Sequence, residues 1–192
     1  MELILKGKDC GFTFSASHLL PGHYKCSRMH GHNYVLDLEI YNNSNNLKNG
    51  IMYDFVIIKK IIREFLEEYD HKLLLPAYST TMIINENDIP ELGSEYLRIT
   101  YEITEIGELD EQTGIPIYDK DSGNLIRFVN KNYIIPKMDT VILPIYYTTA
   151  EELVWYFRKK IFEILSKKFD KQIFLPDLTV TLYEDDGQGV KF

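Results

Sequence analysis

A thiol and two imidazoles fall within the seven residues Cys26-Ser27-Arg28-Met29-His30-Gly31-His32. His30 and His32 are two apart, and Tyr34, Leu36, Leu38 and Ile40 continue their parity while Asp37 and Glu39 occupy the other. That alternation belongs to a half-buried strand, so both imidazoles leave the same face. Zinc sites take three or four protein ligands, and catalytic ones keep a position open. The third ligand is sought upstream, where Phe12, Phe14, Ala16 and His18 alternate with Thr13, Ser15 and Ser17 in a second strand pattern. If residues 12–18 and 30–40 pair as an antiparallel ribbon, His18, His30 and His32 share one face. Three neutral imidazoles with an open fourth position are suited to catalysis. The loop from Pro21 to Met29 would then hang Cys26 beside the metal, where it can act on substrate, serve as a further ligand, or simply be buried as a small apolar residue.

The elements that must hold these groups are legible in order. Asn42 to Gly50 is a polar, turn-rich connection, expected at a hairpin tip. Asp54 then precedes Phe55, Ile58, Ile61, Ile62, Phe65, Leu66 and Tyr69 at helical spacing, which predicts an amphipathic helix of about four turns with Asp54 as N-cap. Asp70-His71-Lys72 follows, readable as a solvated cluster at the helix C-terminus. Between about 76 and 140 the texture is strand-like. Tyr96, Arg98, Thr100 and Glu102 alternate with Leu97, Ile99, Tyr101 and Ile103, and Leu125–Phe128 and Tyr133–Ile135 are two more candidate strands. Asp121 to Asn124 reads as the turn before them; Asp119, Asp121 and Gly123 lack the spacing of a calcium loop. A second helix opens at Thr149, with Glu152 at capping-box spacing and Leu153, Val154, Phe157, Ile161, Ile164 and Leu165 as its buried stripe. Leu178, Val180 and Leu182 share one parity in a last strand that ends at Glu184.

A chain of 192 residues fits one domain, and 45% apolar with 13% aromatic residues describes a globular protein with β-structure. The formal charge of −8, with no basic run, argues against a nucleic-acid partner. No stretch approaches a membrane span and the start lacks a signal pattern, so a cytoplasmic location with free Cys10 and Cys26 is expected.

Phe14-Ser15-Ala16-Ser17-His18, followed by Cys26 at C-x-x-x-H-G-H spacing before His30-Gly31-His32-Asn33-Tyr34, resembles the 6-pyruvoyltetrahydropterin synthase superfamily. Within it, the cysteine spacing is similar to the 6-carboxytetrahydropterin synthase branch of the queuosine and archaeosine pathways. The resemblance implies an α+β tunnelling fold, an antiparallel sheet with two helices packed on one face, formed by 1–192 as a single domain with an insertion at about 76–140. It implies Zn2+ on His18, His30 and His32, with Cys26 as general base, and Asp70 and His71 as a proton relay. Thr149 and Glu151 would help hold a pterin, and Glu184 would accept its paired N–H donors and could orient His71. Asp185 replaces the usual threonine after that glutamate. A homohexamer of two stacked trimers is further implied, in which Thr149, Glu151 and Glu184 complete a neighbour's site.

The leading activity is cleavage of 7,8-dihydroneopterin triphosphate to 6-carboxytetrahydropterin, acetaldehyde and triphosphate, with Lys25, Arg28 and Lys72 as candidates to meet the triphosphate. Three alternatives stand beside it. A 6-pyruvoyltetrahydropterin synthase usually spaces its cysteine further from the first histidine. Cleavage to 6-hydroxymethyl-dihydropterin goes with a loop glutamate, absent between Pro21 and His30. The last is a non-catalytic pterin- or zinc-binding protein.

Overall fold

In the computed structural model the described residues are 1–21, 23, 25–42, 47, 50–86, 92–105, 127–169, 173–185 and 187–192, with backbone alone for 103–105 and 127–130. The strands are β1 (Glu2–Leu5), β2 (Thr13–His18), β3 (His30–Tyr41), β4 (Lys72–Pro76), β5 (Met82–Asn85), β6 (Tyr96–Glu105), β7 (Arg127–Pro136), β8 (Thr140–Leu143), β9 (Leu178–Glu184) and β10 (Gly189–Lys191). The helices are α1 (Gly7–Cys10), α2 (Phe55–Glu67) and α3 (Ala150–Lys168).

The first sheet runs β10-β9-β3-β2-β4-β8, with β1 alongside the far half of β3. β2 and β3 form the expected antiparallel ribbon, and β9 lies against β3 on its other side. Two pairings are parallel, β2 with β4 and β4 with β8, so the sheet is mixed. Phe14, Ala16, Tyr34, Leu36, Leu38, Val180 and Leu182 pack with α2 and α3 in the main core. Their common parity explains why one face of the ribbon is covered by helices.

Asp54 caps α2 as expected, its carboxylate accepting from the N–H groups of Val56 and Ile57. In α3 the capping box is only half made. Thr149 Oγ1 accepts from Glu152 N at 3.5 Å, but the Glu152 carboxylate takes the Tyr146 N–H at 2.7 Å. Tyr156 joins the buried stripe and Ile164 is exposed, because the helix turns its tyrosine toward the ring cluster. In that cluster Phe157 meets Phe14, Phe65 and Tyr69 at centroid separations of 5.6, 5.5 and 4.8 Å.

The insertion builds a second sheet, β5-β6-β7. β7 is one continuous strand where two short ones were expected. Its polar centre, Asn130-Lys131-Asn132, pairs with Glu102, Tyr101 and Thr100, so the backbone ladder carries the strand through a segment with no apolar signal. The candidate turn at Asp121–Asn124, Leu125 and Ile126, and Asp119 lie outside the described residues. Leu97, Ile99, Tyr101 and Met82 close a second core over Leu19, Leu73 and Leu75, while Leu74 faces the main core. β4 is therefore buried on both faces, which is why its Leu73-Leu74-Leu75 run shows no alternation.

Truncating Phe157 to Ala should cost about 3–5 kcal/mol of unfolding free energy. Asp54→Ala should cost about 1 kcal/mol. Urea denaturation of the two variants checks the contrast, and equal losses would mean that the ring cluster does not join the helices to the sheet.

Candidate active site

The β2–β3 register sets His18 opposite His30 and Ala16 opposite His32, so the three imidazoles gather at the open end of the helix-covered face. Their candidate ligand atoms all lie within 4.8 Å of one another. Each ring is held from behind. His18 Nδ1 donates to the Thr148 carbonyl at 2.6 Å and His30 Nδ1 to the Arg28 carbonyl at 2.8 Å. His32 Nδ1 bonds a carboxylate oxygen of Asp185 at 2.7 Å. A carbonyl only accepts, so Nδ1 of His18 and His30 carries the proton and each Nε2 presents a lone pair.

The Nε2 atoms of His18 and His30 stand 3.1 Å apart. Two lone pairs at that distance repel unless a proton or cation lies between them. Nitrogens ligating a tetrahedral zinc are about 3.3 Å apart. The donor set thus fits a divalent metal with an open position, and the oxygen partners behind the rings are the usual outer support of histidine ligands. Cys26 lies in the adjoining loop, half-buried and free, and its sulfur is not among the gathered ligand atoms.

Tyr34 and Glu184 are register partners across β3 and β9, and the Tyr34 hydroxyl donates to Glu184 at 3.4 Å. Burial raises the Glu184 carboxyl, outweighing the opposing pull of His32 and of the Tyr34 hydroxyl, with nearby Glu151 adding to the rise. Glu184 therefore sits beside the imidazoles of its own chain. The α3 start does the same, since Thr148, whose carbonyl holds His18, directly precedes Thr149. Glu184 and the start of α3 thus adjoin the imidazoles of their own chain.

Asp70 and His71 go elsewhere. They form no helix cap: α2 ends at Glu67, and Asp70 accepts from Ser15 N and from His71 Nδ1, each at 2.7 Å. Burial would raise Asp70, but those donors prevail and hold it below the usual carboxylate range. The exposed His71 lines a groove of about 350 Å³ with Ser15, Ser17, Asn33 and Lys72, residues mostly of the parity opposite the imidazoles. The Lys72 ammonium is itself spoken for by the Met138 carbonyl.

Asp185 is the site residue that sequence reasoning missed as a functional group. Besides His32 it accepts from Asn33 N at 3.0 Å, and these donors hold its carboxyl low. His71 and Asp185 are the non-glycine residues with left-handed backbone among those described, both at φ 57°. His and Asp tolerate that region better than most side chains, and such strain gathers at functional sites. The substitution of aspartate at a position expected to hold threonine was the available signal.

A family model described as 6-pyruvoyl tetrahydropterin synthase matches residues 9–192. The chain belongs to this family. A Methanocaldococcus jannaschii relative, named with the 6-carboxy-5,6,7,8-tetrahydropterin synthases, is 32% identical over 190 residues, 98% of this chain and 94% of its own. A Rickettsia typhi protein named 6-carboxy-5,6,7,8-tetrahydropterin synthase is 29% identical over 65% of this chain and 77% of its own. Among solved structures, a catalytic-residue variant of Plasmodium vivax 6-pyruvoyltetrahydropterin synthase superposes with a TM-score of 0.71 at 22% identity, covering 100% of this chain and 96% of its own. The Plasmodium falciparum protein gives 0.69 at 19% identity, with the same coverage. These two show the fold, and the tunnelling architecture with its α+β class holds. No helix among the described residues is long and apolar enough to cross a membrane.

Burial pushes the His18 imidazole down to about 4 despite the bond to Thr148, helped by like charge on His30 and His32. Its ordinary value is about 6.5, so between those limits the unfolded chain takes up a proton that the metal-free folded chain refuses. Stability from this group is fully present above pH about 6.5 and is lost as pH falls toward about 4, by roughly 3 kcal/mol. Urea midpoints of chelator-treated protein across that window should fall, and His18→Asn should flatten the fall; an unchanged slope would remove His18 as its source.

Proposed function

We propose that the protein is a zinc-dependent lyase of the 6-carboxytetrahydropterin synthase type, acting on 7,8-dihydroneopterin triphosphate and releasing acetaldehyde and triphosphate. The observation that carries the reading is the convergence, at one end of one sheet face, of three imidazoles with candidate ligand atoms within 4.8 Å of one another and of Glu184, beside the loop that bears Cys26. The substrate class is taken from the names of the relatives, above all the M. jannaschii protein that aligns over nearly the whole chain.

His18, His30 and His32 would hold the zinc, which supplies Lewis acidity toward the side-chain hydroxyls of the pterin. Glu184 accepts the paired ring N–H and amino donors, and Tyr34 steadies the carboxylate. Because Glu184 is half-buried, rings without those donors leave it unpaired, which selects for pterins. Thr149 and Glu151, at the start of α3, would help hold the pterin, with Glu151 near enough to Glu184 to raise its carboxyl. Cys26 takes the carbon-bound proton of the side chain as general base. Asp70 orients His71 through its Nδ1, leaving Nε2 to move a proton. Since this pair faces away from its own imidazoles, we assign it to the site of a neighbouring subunit in a homohexamer of the kind the family resemblance implies.

The test is incubation of zinc-loaded protein with 7,8-dihydroneopterin triphosphate, with products identified by mass spectrometry. The mass of 6-carboxytetrahydropterin with acetaldehyde is expected; a pyruvoyl or hydroxymethyl product would move the assignment within the family. Cys26→Ala should lower turnover about 10²–10⁴-fold while leaving metal content unchanged. Loss of the metal from that variant would instead make Cys26 a ligand.

A further inference from the structure

The loop between β2 and β3 is gripped through two successive carbonyls. The Cys26 carbonyl accepts from Leu20 N at 2.6 Å. The Ser27 carbonyl accepts from the hydroxyl of Tyr101, on β6 of the insertion, at 2.5 Å in a buried bond. Ser27 N in turn donates to the His23 carbonyl at 2.7 Å, closing the loop on itself. The next carbonyl along, of Arg28, is the one that holds His30 Nδ1.

Tyr101 has little freedom to move. It is buried in the second core with Leu19, Leu73 and Met82, and its ring stacks on Tyr133 of β7 at 6.2 Å and 20°. Burial first, then the neighbouring Tyr133 hydroxyl, raises the Tyr101 hydroxyl above its ordinary range. Tyr101 has one proton and gives it to the Ser27 carbonyl. A phenol kept protonated is a constant donor at working pH. Leu19, the residue after His18, sits under the same sheet, so the insertion contacts both ends of the loop.

We propose that the insertion is the support of the Cys26 loop, with Tyr101 as a positioning residue that fixes the backbone beside the thiol and Tyr133 holding Tyr101 in place. The proposal deepens the functional reading above and rests on it for the role of Cys26. It assigns a task to the sheet of β5, β6 and β7. A side chain on a loop becomes a precise base only when neighbouring elements lock the loop, and a misplacement of about 1 Å can cost on the order of 100-fold in rate.

The experiment compares wild type, Tyr101→Phe and Tyr133→Leu, which removes the stacked ring, in the zinc-loaded full chain, each checked for folding by circular dichroism and for metal content. The rate of iodoacetamide alkylation at Cys26 is read by peptide mass, with buried Cys10 as internal control. In parallel, kcat and KM are measured on 7,8-dihydroneopterin triphosphate. Tyr101→Phe should alkylate several-fold faster at Cys26 and lose roughly 10- to 100-fold in kcat. KM should stay within about threefold and metal content should not change, with Tyr133→Leu falling between it and wild type. An unchanged alkylation rate in a folded Tyr101→Phe protein overturns the proposal whatever happens to turnover, and so does faster alkylation with unchanged kcat. If Tyr101→Phe does not fold, Tyr133→Leu is judged by the same criteria. A wild type inert toward the pterin would overturn the functional reading alone, and the alkylation rates would still decide whether the insertion anchors the loop.

Discussion

The rest of the structure depends on one register, His18 opposite His30 in the β2–β3 ribbon. Side chains alternate along a strand, so a slip of one residue in β3 would send His30 and His32 to the opposite face while His18 stayed behind. The same slip would push Tyr34, Leu36 and Leu38 out of the main core. Burial of that apolar row therefore specifies the imidazole cluster, and the chemistry of the site is secured by the packing of residues that take no part in it. Phe14 stacked on Tyr34 at 4.8 Å, two residues along the same face, fills the space directly below the histidines.

Register alone places the rings; it does not aim them. That is done by three oxygens contributed from three different places, the Thr148 carbonyl before α3, the Arg28 carbonyl in the loop and the Asp185 carboxylate after β9. Each fixes one Nδ1, so the cluster forms only when the helix, the loop and the last strand are all docked. The oxygen partners make the site a product of the whole fold, although its three imidazoles come from two adjacent strands.

Periodicity in the sequence was sufficient for what depends on local pattern. The ribbon, both long helices, the Asp54 cap and the parity of Glu184 follow from alternation and capping chemistry, and each is found. What was not legible depends on partners distant in sequence. The Leu73-Leu74-Leu75 run carries no period because both faces are covered, and β7 runs through polar residues because β6 supplies its hydrogen bonds. The outward turn of Asp70 and His71 rests on the Ser15 N–H, 55 residues away in sequence. The grip of Asp185 on His32 is likewise a contact across strands that no spacing rule contains. The family resemblance gave roles for residues matching its motifs; it could not speak for the insertion, whose docking on Leu19 and the Cys26 loop is visible only in three dimensions.

The central claim is that three imidazoles, without the thiol, hold the metal. X-ray absorption at the zinc edge of the purified, zinc-loaded protein tests it most directly. The account predicts nitrogen and oxygen scatterers alone, with imidazole multiple scattering from three rings. A sulfur scatterer at about 2.3 Å would place Cys26 on the zinc and contradict the separation of ligand from base on which the mechanism is built.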